Sequence, residues 1–436
     1  MKHQTRKGLN LQPISMSTLA LAIISMVVSL GCTTNRPPSE ILTADHDRRE
    51  AIMAEAVHAT DVPAVVMGWV TTDGRTEFES YGVIDAEDPR PIGPDSLFHI
   101  ASMTKAVTAV AALQMVQEGR IGLDEPISTV LPEIKQIEIL NLDGSRHPGT
   151  RPITLRDLLR HTAGFGYMFS SPQIMAELEI DPETGRFLPD VIEESEFDWG
   201  FGIQPRRVFE SGTDWLYGRN VGVAGKLVER LTGMDLETYF QKNILGPLGM
   251  TRSSFNPSPE LLADRVQLMT RNPAGEMVPI PPFRPDHLES FYGGGDLFST
   301  PRDYTTFLRC LLNRGELNGV RILDEKLVAL MMTDQLPDDM TISLDPMQAQ
   351  IARKERSFMN EYDDGFSLGW AIETGGDDGL RPEGVGYWSG ILNTYYTIDP
   401  ERGIAIVLFS QMQPFDDPKT YELYRIYEDE IYRAIR

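Results

Sequence analysis

Phe98-His99-Ile100-Ala101-Ser102-Met103-Thr104-Lys105-Ala106-Val107-Thr108-Ala109-Val110-Ala111-Ala112-Leu113 decides how this chain reads. It passes from a sheet-like start into a helix over about 103–118, stopped by Gly119. That helix is apolar nearly all round, the pattern of a buried element. Ser102 then stands at its N-terminus, where free N–H groups and the positive dipole end favour an alkoxide or a developing oxyanion. A spacing of three brings the Lys105 amine beside the Ser102 hydroxyl. A serine is a poor nucleophile until a base takes its proton. A lysine can do this if its surroundings lower its pKa, or it can hold a neighbouring phenolate in place. Ser-x-x-Lys alone is weak, because on the order of one such tetrad is expected by chance in a chain this long. A helix-capping serine with a solvated lysine would look the same. Burial adds the weight: a lysine inside an apolar helix costs free energy unless it has a role.

Working outward, residues 64–81 read as a hairpin turning on Asp73-Gly74. Strand signals return at 368–372, 387–389, 394–398 and 404–409, the last two joined by Asp399-Pro400-Glu401-Arg402-Gly403. A terminal helix over about 420–435 places Leu423, Ile426, Tyr427 and Ile431 on one stripe. Between these ends lies a helical, loop-rich middle, about 120–290. It includes a short helix capped by Thr154 and a longer one over 221–231 that stops at Gly233. Stretches 170–205 and 336–362 read as irregular, the first as a flap or insertion. The expected fold is α/β of the α+β type: one antiparallel sheet built from both chain ends, flanked by helices, with an inserted helical region.

With 436 residues, 41% hydrophobic and 24% charged, the chain can bury a large core. Its formal charge of −24 repels phosphate backbones and argues against nucleic acid. Gly-x-Ser-x-Gly, His-Glu-x-x-His and the P-loop pattern are all absent, and the histidines do not cluster with acids. Neither metal nor cofactor is expected. Residues 1–31 have a basic start and an apolar run, the layout of an export signal. Gly31-Cys32 at its end resembles the lipobox of bacterial lipoproteins, although Ser29 stands where Leu is usual. That resemblance implies lipidation of Cys32 and a periplasmic or outer-membrane-anchored protein, with 32–44 as a tether and the catalytic domain over 45–436. Cys310, the other cysteine, sits in an apolar helix and reads as a core thiol.

The segment 98–106 resembles the active-site segment of the serine β-lactamase-like family: class C β-lactamases, DD-peptidases and family VIII carboxylesterases. Segments 114–126, 153–164 and 293–300 agree in the same order, and the similarity spans about 45–435. The resemblance implies that Tyr217, in Trp215-Leu216-Tyr217-Gly218-Arg219-Asn220, is the catalytic tyrosine. Asn220 stands three residues on rather than two, which puts its role in doubt. Trp388-Ser389-Gly390 stands where class C enzymes carry Lys-Thr-Gly, as in family VIII esterases. The N–H groups of Ile391 and Ser102 would then form the oxyanion hole. A tryptophan in place of the lysine offers an apolar wall suited to neutral acyl or aryl groups. The expected activity is a carboxylesterase acting on small esters through an acyl-enzyme on Ser102. A β-lactamase or D-peptide hydrolase of the cell envelope, acting on amides, is the alternative. A catalytically silent envelope-binding protein is a third reading.

Overall fold

Every residue of β1 (Ala64–Thr71) is buried, the mark of a central strand covered on both faces. In the computed structural model the described residues are 36–177, 197–199, 204–272, 274–342, 364–375 and 381–436. Residues 1–31, where an export signal is expected, and Cys32 lie outside them, as do most of the stretches 170–205 and 336–362. By its contacts the chain divides into Met1–Arg36 and Pro37–Arg436, and the second unit is the one described below.

β1 turns through Gly74, in the left-handed region at φ 90, into β2 (Thr76–Gly82). The remaining main-sheet strands are β3 (Gly365–Phe366), β4 (Ala371–Ile372), β5 (Gly386–Gly390), β6 (Thr394–Asp399) and β7 (Ile404–Ser410). They run in the order β3-β4-β5-β6-β7-β1-β2, antiparallel throughout. Chain ends meet in the middle, where β1 pairs with β7 and Met67 faces Leu408. This is the sheet expected from the hydrophobic pattern.

Six helices matter here: α1 (Pro38–Ala44), α2 (His46–Thr60), α3 (Thr104–Gln117), α4 (Asn220–Thr232), α5 (Pro301–Leu312) and α6 (Pro418–Ile435). Adjacent strand residues point to opposite faces, and β6 shows it. Tyr396 lies 5.6 Å, ring to ring, from Tyr304 of α5, whereas Tyr395 stacks on Tyr424 of α6 at 5.0 Å. So α5 and α6 cover opposite faces. On the α5 side, Tyr304 donates to the Met103 carbonyl at 3.0 Å and fixes the start of α3. Residues 104–115 of α3 are all buried, and α3 packs along α4. Cys310 is a fully buried core thiol, its pKa pushed up to about 12 by burial.

The tether over 32–44 needs correction. Residues 38–44 form α1, with Leu42 fully buried and Ser39 donating to Asp73 at 2.6 Å. The prolines 37 and 38 suggest a spacer, but proline in the first turn of a helix loses no hydrogen bond and presets φ. Burial of Leu42 where α1 packs on α6 does the rest.

Candidate active site

Phe98 and His99 pair with Ser299 and Phe298, and the Ile100 N–H donates to Leu297 at 3.1 Å, so the chain reaches the site held on one side. Ala101 then takes φ 43, a left-handed conformation that costs a non-glycine residue roughly 1–2 kcal/mol. Local strain of this kind persists where the surrounding structure over-determines it, and active sites are the usual place. Residues Ala101–Met103 form a 3-10 turn leading into α3. Ser102 therefore stands just before the helix rather than in it, half-buried among buried neighbours.

Lys105, one turn on, is 1% exposed. Its Nζ lies 3.1 Å from Ser102 Oγ, 3.2 Å from Tyr167 Oη and 2.6 Å from the Gly294 carbonyl; as an ammonium it donates to all three, and as a neutral amine, with two N–H groups, it turns its lone pair to the serine hydroxyl. Among the described residues no carboxylate lies within ion-pair distance of it. Burial pulls its pKa from 10.5 down to about 7, opposed in part by the charge of Asp296. A large share of the amine is thus neutral near pH 7, while its position on α3 keeps it at the serine.

Tyr217, just before α4, lays its ring 4.8 Å from Lys105 Nζ. Its hydroxyl is hydrogen-bonded to Ser102, and Trp388 Nε1 donates to it at 3.4 Å. Burial raises the phenol far above its ordinary pKa, so it carries its proton at neutral pH. The two groups beside the nucleophile are thus an amine poised to accept a proton and a phenol holding one. Tyr217→Phe is expected to lower kcat by about 10²-fold with KM little changed. Steady-state kinetics on a p-nitrophenyl ester would check this, and the rise of rate with pH should survive because Lys105 remains.

β5 forms the opposite wall. Trp388 is buried, its ring 5.0 Å from Tyr217 and 5.2 Å from Phe366. Ser389 is buried beside it. A Cβ on Gly390 would stand 2.4 Å from the Ile100 carbonyl oxygen, so the strand end is pressed against the nucleophile segment. Ile391 follows, half-buried in the turn to β6. Gly390→Ala would push these two segments apart. A loss of at least about tenfold in kcat/KM is expected, with roughly 1–3 kcal/mol lost from stability; kinetics and urea melts read the two effects separately.

Asn220 is not brought into this group. Its amide donates to the carbonyls of Phe165 (2.9 Å) and Leu216 (3.2 Å) and lies 3.0 Å from His161 Nδ1, so it braces the loop before α4 against 161–165. Two hydrogen-bond partners of Lys105 were invisible to sequence reasoning. Tyr167 sits in an irregular loop and hydrogen-bonds Tyr292 at 2.9 Å. The glycines 293–295 were quoted only as a segment. Thr108 donates to the Gly293 carbonyl at 2.6 Å, which seats that turn on α3 and aims the Gly294 carbonyl at Lys105. Asp296, buried, accepts the Tyr292 N–H at 3.0 Å and closes the turn.

The family model described as Beta-lactamase matches residues 49–429. Monacolin J acid methylbutanoyltransferase of Aspergillus terreus is 33% identical over 374 residues, covering 78% of this chain and 83% of that protein. Lovastatin esterase of Penicillium rubens is 30% identical over 377 residues, covering 79% and 87%. Among solved structures, simvastatin synthase from Aspergillus terreus, in its LovD6 mutant, superposes with a TM-score of 0.73 at 29% identity, covering 88% of this chain and 97% of that one. The hydrolase EstCE1, at 20% identity and a TM-score of 0.68 over 90% and 99%, shares the fold. The chain belongs to the Beta-lactamase family, within the serine hydrolases and acyltransferases built on that fold.

Proposed function

We propose that this protein is a carboxylesterase that cleaves small acyl or aryl esters through an acyl-enzyme on Ser102. The observation that carries the proposal is Lys105: a fully buried amine 3.1 Å from Ser102 Oγ, its pKa drawn to about 7. Ser102 Oγ attacks the ester carbonyl as its proton passes to Lys105 Nζ, giving a tetrahedral oxyanion facing the N–H groups of Ser102 and Ile391. The C–O bond then breaks, and the leaving alkoxide takes a proton from the Tyr217 hydroxyl, which Lys105 reloads. Water attacks the acyl-enzyme by the same route, releasing the acid and free Ser102. The apolar wall of Trp388, Tyr217 and Phe366 supports neutral acyl groups. So do relatives whose names specify a methylbutanoyl transfer and an ester hydrolysis. Those names also favour a second reading, in which an alcohol replaces water and the acyl group is transferred. For the amino-terminal segment, the basic start, apolar run and Gly31-Cys32 support export with lipidation at Cys32.

A paired assay tests the activity. The purified protein should hydrolyse p-nitrophenyl butyrate with at least about tenfold greater kcat/KM than nitrocefin, and intact mass should show a butyryl adduct on the Ser102 peptide after a quench. Added methanol should divert part of the adduct to methyl butyrate if transfer operates. Rapid nitrocefin turnover without ester turnover would replace this reading with a β-lactamase.

A further inference from the structure

None of the steps above uses His161, yet this buried residue grips the segment that carries Tyr217. It stands in the left-handed region at φ 63, a conformation uncommon outside glycine. Turned this way, its backbone and its ring both reach that segment. The His161 carbonyl accepts the Leu216 N–H at 3.0 Å, and its ring Nδ1 accepts the Gly218 N–H at 3.3 Å. One residue thus holds the chain on both sides of Tyr217. Its ring also packs on the Tyr217 ring, 4.8 Å centre to centre.

The partners of the ring fix its protonation. Besides the Gly218 N–H, Nδ1 meets the Asn220 amide at 3.0 Å. That amide atom also faces the carbonyls of Phe165 and Leu216, which can only accept, so it is the nitrogen and a donor. With donors on both sides, Nδ1 is the bare lone pair and Nε2 carries the proton. Burial first, and then the charge of Lys105, hold the imidazole neutral, well below its ordinary pKa. The Leu216 carbonyl opposes them as the smallest of the three influences, and it is already engaged by Asn220.

The other nitrogen shows what the histidine is for. Nε2 is buried without a hydrogen-bond partner among the described residues, in a cage of Trp215, Tyr217 and Phe366. A buried polar atom left unsatisfied is costly and needs a reason. A phenylalanine would fill the same cage with no unsatisfied nitrogen. What the histidine adds is the acceptor at Nδ1, which meets the backbone one residue beyond the catalytic phenol.

We infer that His161 is the positioning residue of Tyr217, its carbonyl and its ring Nδ1 together setting where the phenol hydroxyl meets Ser102. The inference rests on the proton-donating role proposed for Tyr217. A double-mutant cycle tests it on ethyl butyrate, whose leaving alkoxide draws on the Tyr217 proton, followed in a pH-stat. His161→Leu keeps the bulk and removes the acceptor. It is expected to lower kcat about tenfold with KM within about twofold, because a phenol slightly out of place binds no worse but donates late. His161→Asn brings an amide oxygen to the place of Nδ1 and suits the left-handed region, so it should keep kcat within about threefold of wild type. In the Tyr217→Phe background, His161→Leu should change kcat by less than about twofold, since no hydroxyl is left to position. Wild-type kcat in His161→Leu, equal losses for leucine and asparagine, or the same loss in both backgrounds overturns this inference alone. Wild-type turnover by Tyr217→Phe overturns the proton-donor reading and this inference with it. Should the leucine variant fail to fold, the wild type decides by nitrogen-15 imidazole spectra between pH 6 and 9. A neutral ring protonated at Nε2 is expected, and an Nδ1–H ring or an imidazolium overturns the assignment.

Discussion

Ser102→Ala is expected to lower kcat/KM for p-nitrophenyl butyrate by about 10⁴-fold or more, leaving only what binding and oxyanion stabilisation supply without a nucleophile. The size of the effect follows from the site's division of labour. Lys105 and Tyr217 both act by moving a proton on or off this one oxygen, so removing it idles all three at once. Stability should hardly change. Ser102 is half-buried in a 3-10 turn, and the substitution removes the hydrogen bond received from Lys105 at 3.1 Å and the contact with Tyr217. A hydrogen bond of this sort contributes about 1 kcal/mol. Circular dichroism melts within a few degrees of wild type, together with loss of the acyl adduct, would separate a chemical effect from a folding one. Wild-type rates in this variant, or an adduct still forming, would place the nucleophile elsewhere.

The legible parts of this protein were those whose cause is local. β1, β7 and α3 announce themselves through runs of apolar residues and a turn pair, because full burial leaves little room for polar side chains. Ser102 and Lys105 were found because three residues of helix fix their distance, whatever the rest of the chain does. Tyr217 and Trp388 needed the family pattern: each is an aromatic in an apolar stretch, and only the sheet and the loop before α4 bring them together. Tyr167 and the Gly294 carbonyl could not be read at all. The first is a loop residue 62 positions from Lys105 and the second a backbone oxygen 189 positions away, and neither leaves a periodicity. Asn220, whose role its spacing left in doubt, turns its amide nitrogen to the loop instead. Residues 38–44 misled because two prolines mark both a spacer and the first turn of a helix.

Lys105→Met should cut kcat/KM by about 10³-fold, and it should also abolish a pH dependence that no surface lysine could produce. In the wild type the neutral amine is the base, so ester hydrolysis is expected to rise with pH through an apparent pKa near 7 and then level off. Asp296 titrates close by, its own pKa raised by burial to about 6, so the rise belongs to the pair rather than to one group. Stability carries the same signature. The folded-state pKa of Lys105 lies below its unfolded value of 10.5. Between pH 7 and 10.5 the unfolded chain therefore holds one more proton than the folded one, and wild-type stability gains up to about 1.4 kcal/mol per pH unit from this group. The penalty of burying the charged amine is complete below pH 7 and gone above 10.5. Methionine has no proton to lose, so the stability of the variant relative to wild type should fall by roughly 2 kcal/mol between pH 7 and pH 9. Urea melts at the two pH values measure that difference directly. If it stays constant while wild-type esterase activity is normal, Lys105 is charged throughout, and the proton from Ser102 must be taken by Tyr217 as a phenolate held beside the ammonium.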